Sequence, residues 1–157
     1  MKKLVCIVML LCLLIPCASA ETLDDFIAAY MKYASIYSAP EISSNTLMKS
    51  NGAYFWRFDS GTMIIVIRDA KMNLEGVAVT GNEDCVGDML SATICATVAM
   101  DEDVDINKLF QYVMSMYIDY RDHEKDFSYS FLTPHNIAVS EQYGSNLYQF
   151  IIGHTGL

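Results

Sequence analysis

The stretch AYFWRFDSGTMIIVIRDAKMNLEGVAVT, residues 53–80, decides the fold. Ala53–Phe58 is aromatic, Thr62–Arg68 is rich in β-branched residues, and Leu74–Thr80 alternates. Each is a strand signal. Asp59-Ser60-Gly61 and Asp69–Asn73 separate them with turn-forming residues. Connections this short leave no room for a crossover, so the three strands must pair antiparallel.

Upstream, residues 22–38 carry a helical pattern. Thr22 stands at the cap with Asp25 three residues later, and Leu23, Phe26, Ile27, Tyr30, Met31 and Ala34 recur at spacings of three and four. Pro40 ends it, and residues 40–52, rich in Ser and Asn, read as a polar linker within one domain. Downstream, Gly81-Asn82 breaks the sheet. Asp84–Met100 is a small-residue, apolar helix with so little polarity that it should be the most buried of the helices. Asp105 caps a third helix over 106–120, with Ile106, Leu109, Phe110, Val113, Met116, Tyr117 and Tyr120 on one stripe. A charged loop, Arg121–Asp126, leads into strands at Phe127–Leu132, Ile137–Tyr143 and Leu147–Ile152, with turns at Thr133–Asn136 and Gly144–Asn146. The order α-βββ-αα-βββ defines the α+β class, an antiparallel sheet with helices packed mainly on one face. The outline is similar to folds used by small chaperones and secreted enzyme inhibitors, a likeness that carries no function by itself.

The first twenty residues read as a bacterial-type signal peptide. Lys2 and Lys3 form a positive start, Leu4–Ile15 is an unbroken apolar run, and Ala18-Ser19-Ala20 fits the small-x-small cleavage rule. Twelve apolar residues fall short of the roughly 20 needed to span a bilayer. Cys17 offers a competing lipoprotein reading, against which Pro16 stands where a small residue belongs. Cleavage after Ala20 leaves one compact domain, residues 21–157, destined for secretion or the cell envelope, with no stable membrane span. The segment removes two lysines and no acids, so the net charge moves from −9 to −11. A chain this acidic lacks the cations that neutralise phosphates, which argues against nucleic acid as a partner. Three cysteines leave with the signal; Cys85 and Cys95 remain as a candidate disulfide in an oxidising compartment. Ten residues of continuous helix would separate them by about 15 Å, and a disulfide needs about 7 Å or less. The bond therefore requires Cys85 to fold back from a loop; otherwise both are small buried apolar side chains.

Chemical motifs are sparse. Asp101-x-Asp103-x-Asp105 begins like a calcium loop, but Ile106 and Tyr112 occupy the positions where Gly and Glu belong. Helix capping accounts for these acids. His123, His135 and His154 share no helix at metal-ligand spacing and lie far from the cysteines. No nucleophile elbow, His-Glu-x-x-His, P-loop or dinucleotide fingerprint occurs. The adjacent acids Glu83/Asp84 and Asp122/Glu124 read as solvated. No catalytic residue, metal or cofactor is assigned.

The aromatic strand is the strongest candidate surface. Tyr54, Trp56 and Phe58 point to one face, and Phe55 and Arg57 to the other. One face must meet the helices; the other is either packed as core as well or open for recognition. Arginine is rarely buried unpaired, which assigns Phe55 and Arg57 to the open face and Trp56 beneath the helices. The expected function is an exported, non-catalytic binding module for a protein or a glycan, with Phe55, Arg57, Trp56 and Tyr54 as candidate site residues. The alternatives are a hydrolase whose site is assembled only by the fold, and a structural envelope protein. Intact-mass measurement of the exported protein is expected to show cleavage after Ala20, and a diacylglyceryl group on Cys17 would overturn that reading.

Overall fold

The computed structural model describes residues 22–123, 130–144 and 147–155. The expected signal segment, the charged residues 124–126 and the turn residues Ser145 and Asn146 lie outside them, as does the first half of the strand expected at 127–132. Helix α1 spans Leu23–Tyr37, followed by strands β1 (Met48–Ser50), β2 (Ala53–Arg57), β3 (Met63–Arg68) and β4 (Leu74–Gly81). Helices α2 (Val86–Met100) and α3 (Ile106–His123) come next, then β5 (Ser130–Leu132), β6 (Ile137–Gly144) and β7 (Leu147–His154). The class is α+β, as expected, with a single antiparallel sheet in the order β1-β2-β3-β4-β7-β6-β5. The chain leaves β4 at mid-sheet, crosses one face through α2 and α3, and re-enters at the far edge. The second meander then returns to the centre, so that β7 pairs with β4.

One expectation is corrected. Residues 40–52 are not a linker throughout, because Met48–Ser50 forms an edge strand on β2. Its turn is Asn51-Gly52, both with positive φ, 50° and 84°. That is the conformation of the two-residue hairpin turn whose twist matches the flanking strands. Helix α3 also runs three residues past its expected end, to His123, and β7 continues to His154.

Local chemistry fixes the ends of the elements. The Thr22 hydroxyl accepts from the Asp25 amide at 3.1 Å and donates to its carboxylate at 2.6 Å. In the β3–β4 turn, Asp69 Oδ1 accepts from the amides of Lys71 and Asn73, both at 2.8 Å. Asp105 receives the first free amides of α3, from Asn107 at 3.1 Å and Lys108 at 3.2 Å.

The core lies between the helices and one face of the sheet. Ladder partners share a face, which puts Trp56, Ile64, Val79 and Phe150 in one inward row. Val66, Val77, Ile152 and Val139 form the next. All eight are buried. Helix α2 covers this face, and from Ala92 to Met100 every residue is buried. Its threonines are accommodated by bonding backwards: the Thr93 hydroxyl donates to the Met89 carbonyl and that of Thr97 to the Thr93 carbonyl, both at 2.8 Å. Helix α1 packs along α2 through Phe26, Tyr30 and Ala34. Trp56 is 1% exposed, and its indole donates to the Ser43 carbonyl at 2.8 Å, pinning the segment before β1 over the sheet. The Tyr30 hydroxyl holds the Pro40 carbonyl at 3.0 Å. Burial, ahead of the nearby Cys95 and Asp88, raises the Tyr30 phenol far above its ordinary pKa, so it stays a neutral donor.

Trp56→Ala is expected to cost about 3–5 kcal/mol of stability. Phe55→Ala on the opposite face should cost about 1 kcal/mol, and Arg57→Ala less than about 0.5 kcal/mol. Urea denaturation followed by circular dichroism checks the ranking; equal losses at Trp56 and Phe55 would contradict this assignment of faces.

Candidate functional site

Two regions bring chemistry-bearing residues together: the sheet face turned away from the helices, and a buried carboxylate at the end of α2.

The outer face follows from the same ladder pairs. Phe55, Ile65, Ala78 and Ile151 lie side by side across four strands, with Met48 of β1 beside Phe55. One row along are Ile67, Gly76, Gly153, Ala138 and Leu132. On the other side are Arg57, Met63, Thr80 and Gln149. Phe55, Met63, Ile65, Ile67 and Ile151 are half-buried and lie outside the core formed with the helices. Leu132 is 55% exposed and Met48 39%. Gly76 and Gly153 face each other at the β-bulge in β3–β4, where a Cβ on Gly76 would collide with the Ile152 carbonyl. Arg57 is exposed at the rim, and these rows contain no carboxylate.

The four residues singled out from the strand therefore divide. Phe55 and Arg57 lie on the outer face. Trp56 is sealed in the core and offers no surface to a ligand, because β2 is covered on its inner side. Tyr54 shares Trp56's side but lies at the end of the strand, half-buried, with the Arg68 guanidinium 4.3 Å and the Lys49 ammonium 4.9 Å from its ring centre. Cys85 and Cys95 are free, buried thiols. Cys85 closes the short 3-10 turn directly before α2 and its thiol donates to the Asn82 carbonyl at 3.3 Å. Burial pushes the Cys95 thiol up to about 12, which keeps it protonated and unreactive.

Sequence reasoning missed the second region. Asp101, at the C-terminus of α2, has a side chain 0% exposed. Its Oδ1 lies 2.8 Å from His135 Nδ1 and accepts from the Asp103 amide at 3.1 Å, while Oδ2 accepts from the His135 amide at 2.9 Å. Burial alone would raise this carboxyl; hydrogen bonds from the Thr133 hydroxyl, the His135 amide and ring, and the Asp103 amide outweigh it and hold the pKa below the usual range. His135 is shifted the other way. The hydrogen bond and charge of Asp101 raise it against desolvation, with Asp103 and Glu102 adding to the effect. Its Nε2 faces Asp103 Oδ2 at 3.5 Å.

Asp101, Asp103 and His135 present three ligand atoms within 4.8 Å of one another. Each Asp101 oxygen is already engaged by the protein, so the arrangement works as an internal tether between the α2–α3 connection and the β5–β6 turn. The sequence signals were the turn Thr133-Pro134-His135-Asn136, in which Asn136 takes the left-handed conformation at φ 62°, and the run Asp101-x-Asp103-x-Asp105, whose capping reading holds for Asp105 but not for Asp101 and Asp103, which turn to His135. The paired acid lies 34 residues away.

No family model, curated protein or solved structure matches this chain.

The tether has a definite pH signature. The raised His135 pKa contributes stability that is complete below its unfolded value, about 6.5, and lost as pH rises through the folded value. The depressed Asp101 pKa contributes stability above about 3.9 that is lost as pH falls through its folded value. The stability difference between the wild type and His135→Gln is therefore expected to be largest between about pH 4 and 6.5 and to shrink toward pH 8.5. Melting curves across that range test it; a pH-independent difference would contradict the pairing. Asp101→Ala, which leaves several donors without an acceptor, should cost roughly 2–4 kcal/mol.

Proposed function

We propose that this protein is an exported, non-catalytic interaction module that binds a protein partner through the outer face of its sheet. The observation that carries this reading is the continuous strip of Phe55, Met63, Ile65, Ile67 and Ile151 on a face that no helix covers among the described residues. Seven strands spaced about 4.8 Å apart, from three to eight residues long and averaging roughly 19 Å, give the whole face an area of about 600 Å². That is one partner's share of a smaller specific interface.

The chemistry of the strip favours protein over glycan. Sugars are held by exposed rings together with convergent polar groups. Here Phe55 is the ring in rows otherwise aliphatic or small, while Trp56 and Tyr54 lie on the other side. The matching partner surface is apolar, with a carboxylate placed to meet Arg57. The export reading rests on the signal pattern of residues 1–20.

One observation favours the hydrolase alternative, the close pairing of a buried Asp101 with His135. A general base would offer Nε2 to a nucleophile; here Nε2 faces the Asp103 carboxylate, which weighs toward the tether.

The test is affinity recovery with mature 21–157 from the native exporting cell's envelope and medium. The combined variant Phe55→Ser, Ile65→Thr, Ile151→Thr should lose the partner that the wild type and the helix-side control Glu102→Gln both retain, at unchanged far-ultraviolet circular dichroism. Equal recovery by all three overturns the proposal, and so does an outer face shielded by a second copy in sedimentation equilibrium.

A further inference from the structure

A second group of side chains, at the open end of the first meander, borders the core through Tyr54 and is not part of the outer face. Lys49 of β1 stands directly opposite Tyr54 of β2, and Tyr54 stands opposite Val66, two residues before Arg68 in β3. Three adjacent strands thus deliver Lys49, Tyr54 and Arg68 to one spot. The Lys49 ammonium beside the Tyr54 phenol, together with the charge of Arg68, lowers its pKa in spite of desolvation. The guanidinium packs on the ring at 4.3 Å.

This cluster is unusual for its setting. The chain carries nineteen acidic side chains against ten Lys and Arg, so a cation here would be expected to find a carboxylate. Yet neither Lys49 nor Arg68 forms an ion pair among the described residues, where the ion pairs are those of Lys108 and His135. Arg68 Nε is buried without a hydrogen-bond partner, a costly state for a donor on a charged group. Two cations and a phenol hydroxyl therefore converge with no carboxylate ion-paired to either cation among the described residues. Nine of the acids lie on the helices and their caps, Asp24, Asp25, Glu83, Asp84, Asp88, Asp101, Glu102, Asp103 and Asp105, and Asp69, directly after Arg68, is taken up by the amides of Lys71 and Asn73 and the Asn73 side chain.

We propose that Lys49, Tyr54 and Arg68 form a binding site for a small phosphate-class anion. Charge and donor count match: two unit positive charges face a dianion, the ammonium acts as a point charge, the guanidinium supplies a planar fork, and the phenol adds a neutral donor. The acidity of the whole chain excludes a polyanion but not a single phosphate group, because charges more than about 8 Å away are screened at physiological salt. The site is independent of the outer-face reading, since Tyr54 and Arg57 belong to opposite sides of β2.

Inorganic phosphate is the probe, titrated into the mature protein at constant ionic strength against sodium chloride. The readouts are the Arg68 side-chain Nε–H resonance and the backbone amides of residues 48–55 and 66–68. A saturable shift with phosphate that chloride does not produce is expected. Lys49→Gln and Arg68→Gln should each weaken it about tenfold, and Tyr54→Phe, which keeps the ring but removes the hydroxyl, should weaken it less. Arg57→Gln, on the other face, should leave it unchanged. The proposal is overturned if chloride reproduces the shift, if phosphate produces none, or if Arg57→Gln weakens binding as much as Arg68→Gln.

Discussion

Helix Val86–Met100 has almost no polar side to give to solvent, and the rest of the architecture follows from that. A helix that is apolar around most of its circumference must be covered on most of it. The sheet covers one side through β4, β7 and β6, while the first and third helices flank it. All three helices are thereby drawn into one layer above the inner sheet face. Leu23–Tyr37 cannot leave α2 to cover the other face without exposing Met89, Ile94 and their neighbours. The outer face, which no helix covers among the described residues, is the geometric consequence of this helix's composition.

The layer must also be held over both meanders, and different interactions do so at its two ends. Near the first meander, the Trp56 indole and the Tyr30 hydroxyl each hold a backbone carbonyl of the segment between α1 and β1. Both are large rings that supply apolar area and one directed hydrogen bond. Near the second meander, the tie is ionic. Asp101 leaves the end of α2 and enters the β5–β6 turn, accepting from its backbone and its histidine together. A carboxylate out of water is tolerable only when its lone pairs are filled, and here the turn Thr133–His135 fills them. The pair resembles a catalytic dyad in distance, but its hydrogen-bond partners make it a clasp.

Charge is sorted along the same division. Many of the carboxylates lie on the helices and their caps, while the outer rows through Phe55 and Ile67 are apolar with Arg57 at the rim. The cations Lys49 and Arg68 gather around Tyr54, on the side of β2 opposite the outer strip.

The sequence by itself determined most of the elements, because each was a local pattern. The three- and four-residue spacing of Phe26, Tyr30 and Ala34 gave the first helix, the turns at Asp59–Gly61 and Asp69–Asn73 gave the meander, and the apolar run 86–100 gave the most buried helix. Even the orientation of β2 was legible, since alternation put Arg57 opposite Trp56 and an unpaired guanidinium belongs in water. The edge strand Met48–Ser50 was overlooked although Asn51-Gly52 announces a hairpin; its three exposed residues carry no apolar alternation to notice. What only the tertiary structure decided were the meetings at long range: Asp101 with His135, Lys49 with Arg68 across Tyr54, and the placing of β7 beside β4. Local patterns report the conformation of a few successive residues, whereas these contacts depend on how the helix layer and the two meanders close on one another, and that is set by the shared core.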